Sequence, residues 1–189
     1  MMKSVYESCP VFENESFMLR FVKKEDATDL LEVYSDKNAL PFFNSDNCNG
    51  DNFFYPNIEK MESAINFWLS SYKTKWFVRW TIIDKTFSKA IGTIEMFHRA
   101  ANVDFNDVGV LRLDVRSDYE KSDVIRELFS LIIPDLYELF DCAEIITKIP
   151  LYAIERIDAA QKYGFVKSGN LLVGANDNYA YNGYWIIKT

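Results

Sequence analysis

Gln161-Lys162-Tyr163-Gly164-Phe165-Val166-Lys167-Ser168-Gly169 changes its period half-way along. The residues before Gly164 continue a helical pattern predicted over 151–163, and those after it form a short β-prone run over 165–168. A glycine at that junction suits a helix C-cap, where the backbone turns left-handed. Working backwards, residues 143–149 read as a strand, 122–140 as a helix and 108–115 as a strand. The near-continuous apolar content of Val108-Gly109-Val110-Leu111-Arg112-Leu113-Asp114-Val115 places that last strand centrally. Working forwards, the residues 179–187 finish the pattern as a strand.

The upstream part is consistent with this. Phe17-Met18-Leu19-Arg20-Phe21-Val22 reads as a strand and 27–34 as a helix, and a second helix over 58–73 carries Met61, Ile65, Trp68, Leu69 and Tyr72 on one stripe. Residues 76–84 and 90–98 form a β-hairpin across 85–89. Between the two helices, residues 44–57 have the Asn, Asp, Gly and Ser content of a long loop, with Phe53, Phe54 and Tyr55 embedded in it. The predicted order is β-α-α-β-β-β-α-β-α-β-β: one α/β (α+β) domain over 1–189, with a mixed sheet of about six or seven strands flanked by helices.

Composition narrows the function classes. The 189 residues carry 21 Lys plus Arg against 28 Asp plus Glu, a formal charge of -7, so no basic stripe is available to neutralise phosphates and nucleic acid is not an expected partner. With 49% hydrophobic and 16% aromatic residues the chain can bury a core, so disorder is excluded for most of it. The apolar run 128–133 stops at Pro134, too short to span a bilayer, and residues 1–10 have no export-signal core, so cytoplasm is the expected compartment. Cys9, Cys48 and Cys142 are too widely spaced for a zinc pair and read as free thiols, and with one histidine no metal centre is predicted. Phosphate-loop, dinucleotide, nucleophile-elbow and zincin motifs are absent.

The element order, the Gln161–Gly169 stretch, Leu19-Arg20-Phe21 with Glu25-Asp26-Ala27, the pair 80–84 and 91–94, and Asp107-Val108-Gly109 together resemble the GNAT superfamily of N-acetyltransferases, in particular its ribosomal-protein-acetylating type. The resemblance covers residues 17–189. It implies acetyl-CoA as co-substrate, its pantetheine arm pairing with the main chain at Leu113, Asp114 and Val115. It also implies a turn before the following helix, here Lys121, Ser122 and Asp123, whose amides face the pyrophosphate. In the family that turn carries an arginine and two glycines, where this chain has Glu120, Lys121 and Asp123; no glycine occurs between Gly109 and Gly164. Ala153 and Ala160 stand where the family often has an asparagine and a proton-donating tyrosine. Independently of any ligand, Ser117-Asp118-Tyr119-Glu120 fits a capping box that starts a helix.

Two functions stay open. One is transfer of an acetyl, or another acyl, group from its CoA thioester to an amine, small molecule or protein N-terminus, by direct attack. Glu95 and His98 are the candidate bases, since an imidazole titrates near neutrality. The other is a GNAT-fold binding or regulatory module that has lost the cofactor. Each candidate also has a plainer reading: His98 as a surface residue at a strand end, Glu95 as a solvent-facing strand residue, Asp114 as a cap. The rings of the 44–57 loop read either as a pocket wall or as a satellite core, and Tyr181-Asn182-Gly183-Tyr184-Trp185 reads as a sheet edge able to support a homodimer.

Overall fold

A computed structural model describes residues 4–189; the N-terminal reading above rests in part on residues 1–3, which lie outside the described residues. Strands β1 (Phe12–Glu13) and β2 (Phe17–Phe21) lead into helices α1 (Ala27–Tyr34) and α2 (Ile58–Lys73), followed by β3 (Val78–Asp84), β4 (Lys89–Arg99) and β5 (Val108–Val115). Helix α3 (Ser122–Leu139), β6 (Glu144–Lys148) and α4 (Ile154–Tyr163) come next, then β7 (Val166–Lys167), β8 (Leu172–Val173), β9 (Ala180–Tyr181) and β10 (Tyr184–Lys188). Eight strands form one mixed sheet in the order β1-β2-β3-β4-β5-β6-β10-β7, and β8 and β9 make a separate ribbon.

Strands β3, β4 and β5 are buried along almost their whole length, because helices cover both faces. Alternation sends Val78, Trp80, Ile82, Ile94, Met96, Leu111, Leu113 and Val115 to the face packed by α3 and α4. The other face packs α1 and α2 through Leu30, Val33, Tyr34, Met61, Ile65 and Trp68. At the centre of that second face stand charged residues in adjacent register: Arg79 opposite Glu95, and Glu95 opposite Arg112.

Local chemistry accounts for the boundaries. Asn57 caps α2 by accepting the Lys60 N–H at 3.0 Å. Gly164 ends α4 at φ +117°, its N–H donating to the Ala160 and Gln161 carbonyls. Gly92 lies beside a register shift in β4, where a Cβ would sit 2.2 Å from the Asp114 carbonyl oxygen.

Four expectations change. The sheet has one strand more than foreseen, since β1 adds an edge. The 179–187 run breaks at Gly183 (φ +84°) into β9 and β10, and β10 is an interior strand between β6 and β7 rather than an edge. Helix α4 starts at Ile154, three residues later than predicted, because 151–153 form a turn. The Ser117–Glu120 capping box does not form: Ser117–Tyr119 is a single 3-10 turn whose first N–H donates to Asp36, and α3 starts at Ser122.

Candidate functional site

The decisive geometry lies where β5 parts from β6. These two strands are the only parallel neighbours among the described residues, joined by the α3 crossover, and they pair only over Gly109–Leu111 against Ile145–Thr147. Beyond Leu111, β5 stays paired with β4 as far as Val115 but leaves β6 behind, so a wedge opens beside Arg112–Val115. The start of α3 faces the same wedge.

Arg156, from α4, fills it. Its Nη1 donates to the Leu113 carbonyl at 2.9 Å and to the Phe42 carbonyl at 3.0 Å, and its Nε and Nη2 grip the Glu120 carboxylate at 2.8 and 2.5 Å. The two side chains are 3% and 6% exposed, so the pair is buried, and each of the three guanidinium nitrogens has an acceptor. At the helix start, the Ser122 N–H donates to the Glu155 carboxylate at 2.8 Å and the Ser122 hydroxyl donates to Asp158. A carboxylate from α4 therefore holds the position at the helix N-terminus that best attracts an anion. Tyr152 closes the outer rim, its hydroxyl donating to the Pro41 carbonyl at 2.6 Å and its ring 6.0 Å from that of Phe42.

Across the sheet, on the α1–α2 face, lies a cavity of about 270 Å³. Arg79, Glu95 and Arg112 form its floor, and Phe53, Phe67, Trp68, Trp76, Phe77 and Phe97 supply most of its walls. Arg79 donates to Glu95, to the Tyr34 hydroxyl (2.8 Å), to Thr93 (3.0 Å) and to Asp114 (3.3 Å); Arg112 donates to Glu95 (2.6 Å) and to the Asp46 carbonyl (2.8 Å). Burial pushes the Glu95 carboxyl up, but the flanking Arg79 and Arg112 outweigh it and hold it below its ordinary value. Burial wins at Asp114, which is raised in spite of Arg79 and the Tyr34 hydroxyl. The Cys48 thiol, also on the lining, is pushed up to about 11 by burial, so it is no thiolate near neutrality.

The 44–57 loop closes over this cavity. Asp46 is held by Lys148 (2.6 and 2.7 Å) and by the Tyr184 hydroxyl (3.1 Å), and Asn47 accepts the Asn176 N–H at 2.8 Å. Phe53 sits at φ +63°, a strained backbone for an aromatic residue, held by the Asp51 carboxylate on its N–H at 2.7 Å and by burial of its ring. Rings of this loop are thus both core and wall: Phe53 and Tyr55 join the α1–α2 core and also line the cavity.

No known family signature matches the chain, and no curated protein matches it in sequence. Solved structures do match in shape. A ribosomal-protein-S5-alanine acetyltransferase from Vibrio fischeri superposes with a TM-score of 0.65 at 18% identity, covering 94% of each chain. A ribosomal L7/L12 alpha-N-protein acetyltransferase in complex with coenzyme A reaches 0.69 at 9% identity, over 95% of this chain and 98% of that one. A spermidine N-acetyltransferase from Vibrio cholerae, in complex with CoA and spermine, reaches 0.64 at 12% identity, over 93% and 96%. The chain has the GNAT fold.

Within the GNAT fold the wedge beside β5 is where the sequence resemblance puts the coenzyme, and the residues present do not fit it. The Leu113 carbonyl and the Ser122 N–H are already engaged, and the Glu120 and Lys121 amides donate to Ser117 and Tyr119 carbonyls 3.2 and 2.8 Å away. Carboxylates of Glu120, Glu155 and Asp158 gather where a pyrophosphate needs positive charge. Of the other candidates, Asp123 turns its carboxylate onto the neighbouring Val124 N–H at 3.0 Å, and Lys121 is exposed at the cap of α3. Val115 is buried in the α3–α4 core, and Asp114 points the other way, into the Arg79 network.

The structure separates the two candidate bases. Glu95 stands on the cavity floor, pinned as an anion, which makes it a weak proton acceptor. His98 lies three residues further along β4, exposed, with Nε2 2.8 Å from Asp107 and no part in the lining. Arg79, Arg112 and Arg156 were not singled out from sequence, and Glu120 was singled out only as a departure in the turn before α3, not as half of an ion pair. Their signal was there: a charged residue inside a strand buried on both faces, or a carboxylate beside a helix start, must find a partner. Among the described residues no helix is long and apolar enough to cross a membrane.

Proposed function

We propose that this chain is a ligand-binding module on a GNAT scaffold whose cofactor wedge is sealed by its own side chains, leaving the cavity on the α1–α2 face as the working site. The observation that carries this is the Arg156–Glu120 pair buried against the Leu113 carbonyl. A buried ion pair in which every guanidinium nitrogen has an acceptor is costly to open, since each charge must find a new partner. Calorimetric titration of the intact protein with acetyl-CoA tests it. The expected result is no heat at millimolar ligand and no rise in melting temperature; micromolar binding would overturn the proposal.

A second reading is transfer of an acetyl group from acetyl-CoA to an amine, and one observation favours it: β5 still parts from β6 after Leu111. That reading requires Arg156 to leave Leu113, and Glu95 or His98 to accept a proton. The same titration decides between the two.

A further inference from the structure

The two guanidiniums on the cavity floor are not equally served with the Arg156 guanidinium. Arg79 and Arg112 share one carboxylate, Glu95, between them, and the Nε–H of each is buried without an acceptor. Beyond Glu95, Asp46 gives Arg112 only its main-chain carbonyl, because the Asp46 carboxylate is taken by Lys148 and Tyr184. Asp114, the further partner of Arg79, leaves one carboxylate oxygen unpaired. Besides Glu95, the lining carboxylate is Asp51, at the rim, where it accepts the Phe53 N–H and the Tyr55 hydroxyl. Buried donors that lack acceptors destabilise a fold; around this floor two guanidinium donors and one carboxylate oxygen are left unpaired, so unpaired donors outnumber unpaired acceptors.

The walls specify the rest of the ligand. Trp68 lies flat under Arg79, 4.1 Å from its guanidinium carbon, and Phe97 lies 5.4 Å from that of Arg112. Towards the mouth, Phe67 meets Trp76 and Phe77 with ring centroids 6.5 and 6.1 Å apart. Trp76 is 62% exposed and Phe67 54%, so these rings project from the surface instead of filling the core. A volume near 270 Å³ suits a molecule of one or two fused rings.

We propose that this cavity binds a planar aromatic acid, with its ring against Trp76, Phe67 and Phe77 and its carboxylate turned to the Arg112–Arg79 floor. This deepens the binding-module reading and assigns a ligand of opposite charge to the amine that the fold resemblance implies.

The test is calorimetric titration of the intact protein, with no acetyl-CoA present, using indole-3-acetate, indole and tryptamine. Indole-3-acetate should bind roughly tenfold or more tighter than indole, and tryptamine weaker than either. Tryptamine binding tightest, the acid binding no better than indole, or no binding of any of the three at millimolar concentration would each overturn the proposal. Trp76→Ala, at an exposed rim position that leaves the fold intact, should weaken indole-3-acetate several-fold; unchanged affinity would also overturn it. Arg112→Met should erase the preference for the acid in any preparation whose circular dichroism remains native. Because no coenzyme enters the experiment, its failure leaves the sealed wedge untouched, and acetyl-CoA binding in the separate titration would count against the sealed wedge alone.

Discussion

Two buried arginine–glutamate groupings lie on opposite sides of β5, and they end differently. In the wedge, Arg156 faces one Glu120, and two carbonyl oxygens absorb its remaining reach. On the other face, Arg79 and Arg112 share Glu95 and Arg79 also reaches Asp114, yet both Nε atoms are left without an acceptor and a cavity lies above them. The lesson is that ion pairing by itself neither makes nor removes a site. Here the pair whose nitrogens all find acceptors closes a gap in the sheet, whereas the network with unpaired donors borders a cavity.

The comparison breaks most readily at Glu95. Glu95→Gln leaves the buried Arg112 without a carboxylate and Arg79 with Asp114 alone, and should destabilise by about 3–5 kcal/mol, read by denaturant unfolding. Its pH signature is specific. The folded carboxyl titrates below its ordinary 4.5, so its contribution is fully present above that value and is lost as the pH falls through the lower, folded one. Asp114 acts with the opposite sign: raised by burial, it contributes most at low pH and loses that contribution as the pH rises above 3.8. Acid unfolding should therefore be shallower in Glu95→Gln and steeper in Asp114→Asn than in the parent; identical acid limbs would show that neither carboxyl is linked to folding.

The sealed side offers a sharper control. Arg156→Met alone strands a buried Glu120 and should also cost about 3 kcal/mol, while Arg156→Met combined with Glu120→Leu should recover most of that loss, as an ion pair exchanged for apolar packing does. A double variant no more stable than the single one would mean that the pair is held by its surroundings and is not a self-sufficient plug. The smallest effect belongs to the rim. Tyr152→Phe removes one hydrogen bond from a largely exposed residue and should change stability by less than about 1 kcal/mol.

Much of this frame was legible in the residues. The stripe of Met61, Ile65 and Trp68 with Asn57 ahead of it marks α2 to its observed ends, and Gly164 marks the end of α4. What escaped was pairing across distance. Glu120 and Arg156 come from different elements, and no local period links them. The Arg79–Glu95–Arg112 ladder depends on strand register, which an alternating pattern does not specify on strands buried on both faces. The β8–β9 ribbon was missed because β8 has two residues and no period, and β9 was read as one run with β10.

The place of β10 sets a timetable for biosynthesis. It follows in chain order both strands that it joins, so β6 has no partner on its outer side until Tyr184–Lys188 emerges from the ribosome. At about 5–20 residues per second the stretch from Lys148 to Tyr184 takes a few seconds to translate. During that interval Ile145 and Ile146 lie on an open apolar edge of the kind that recruits chaperones or neighbouring nascent chains.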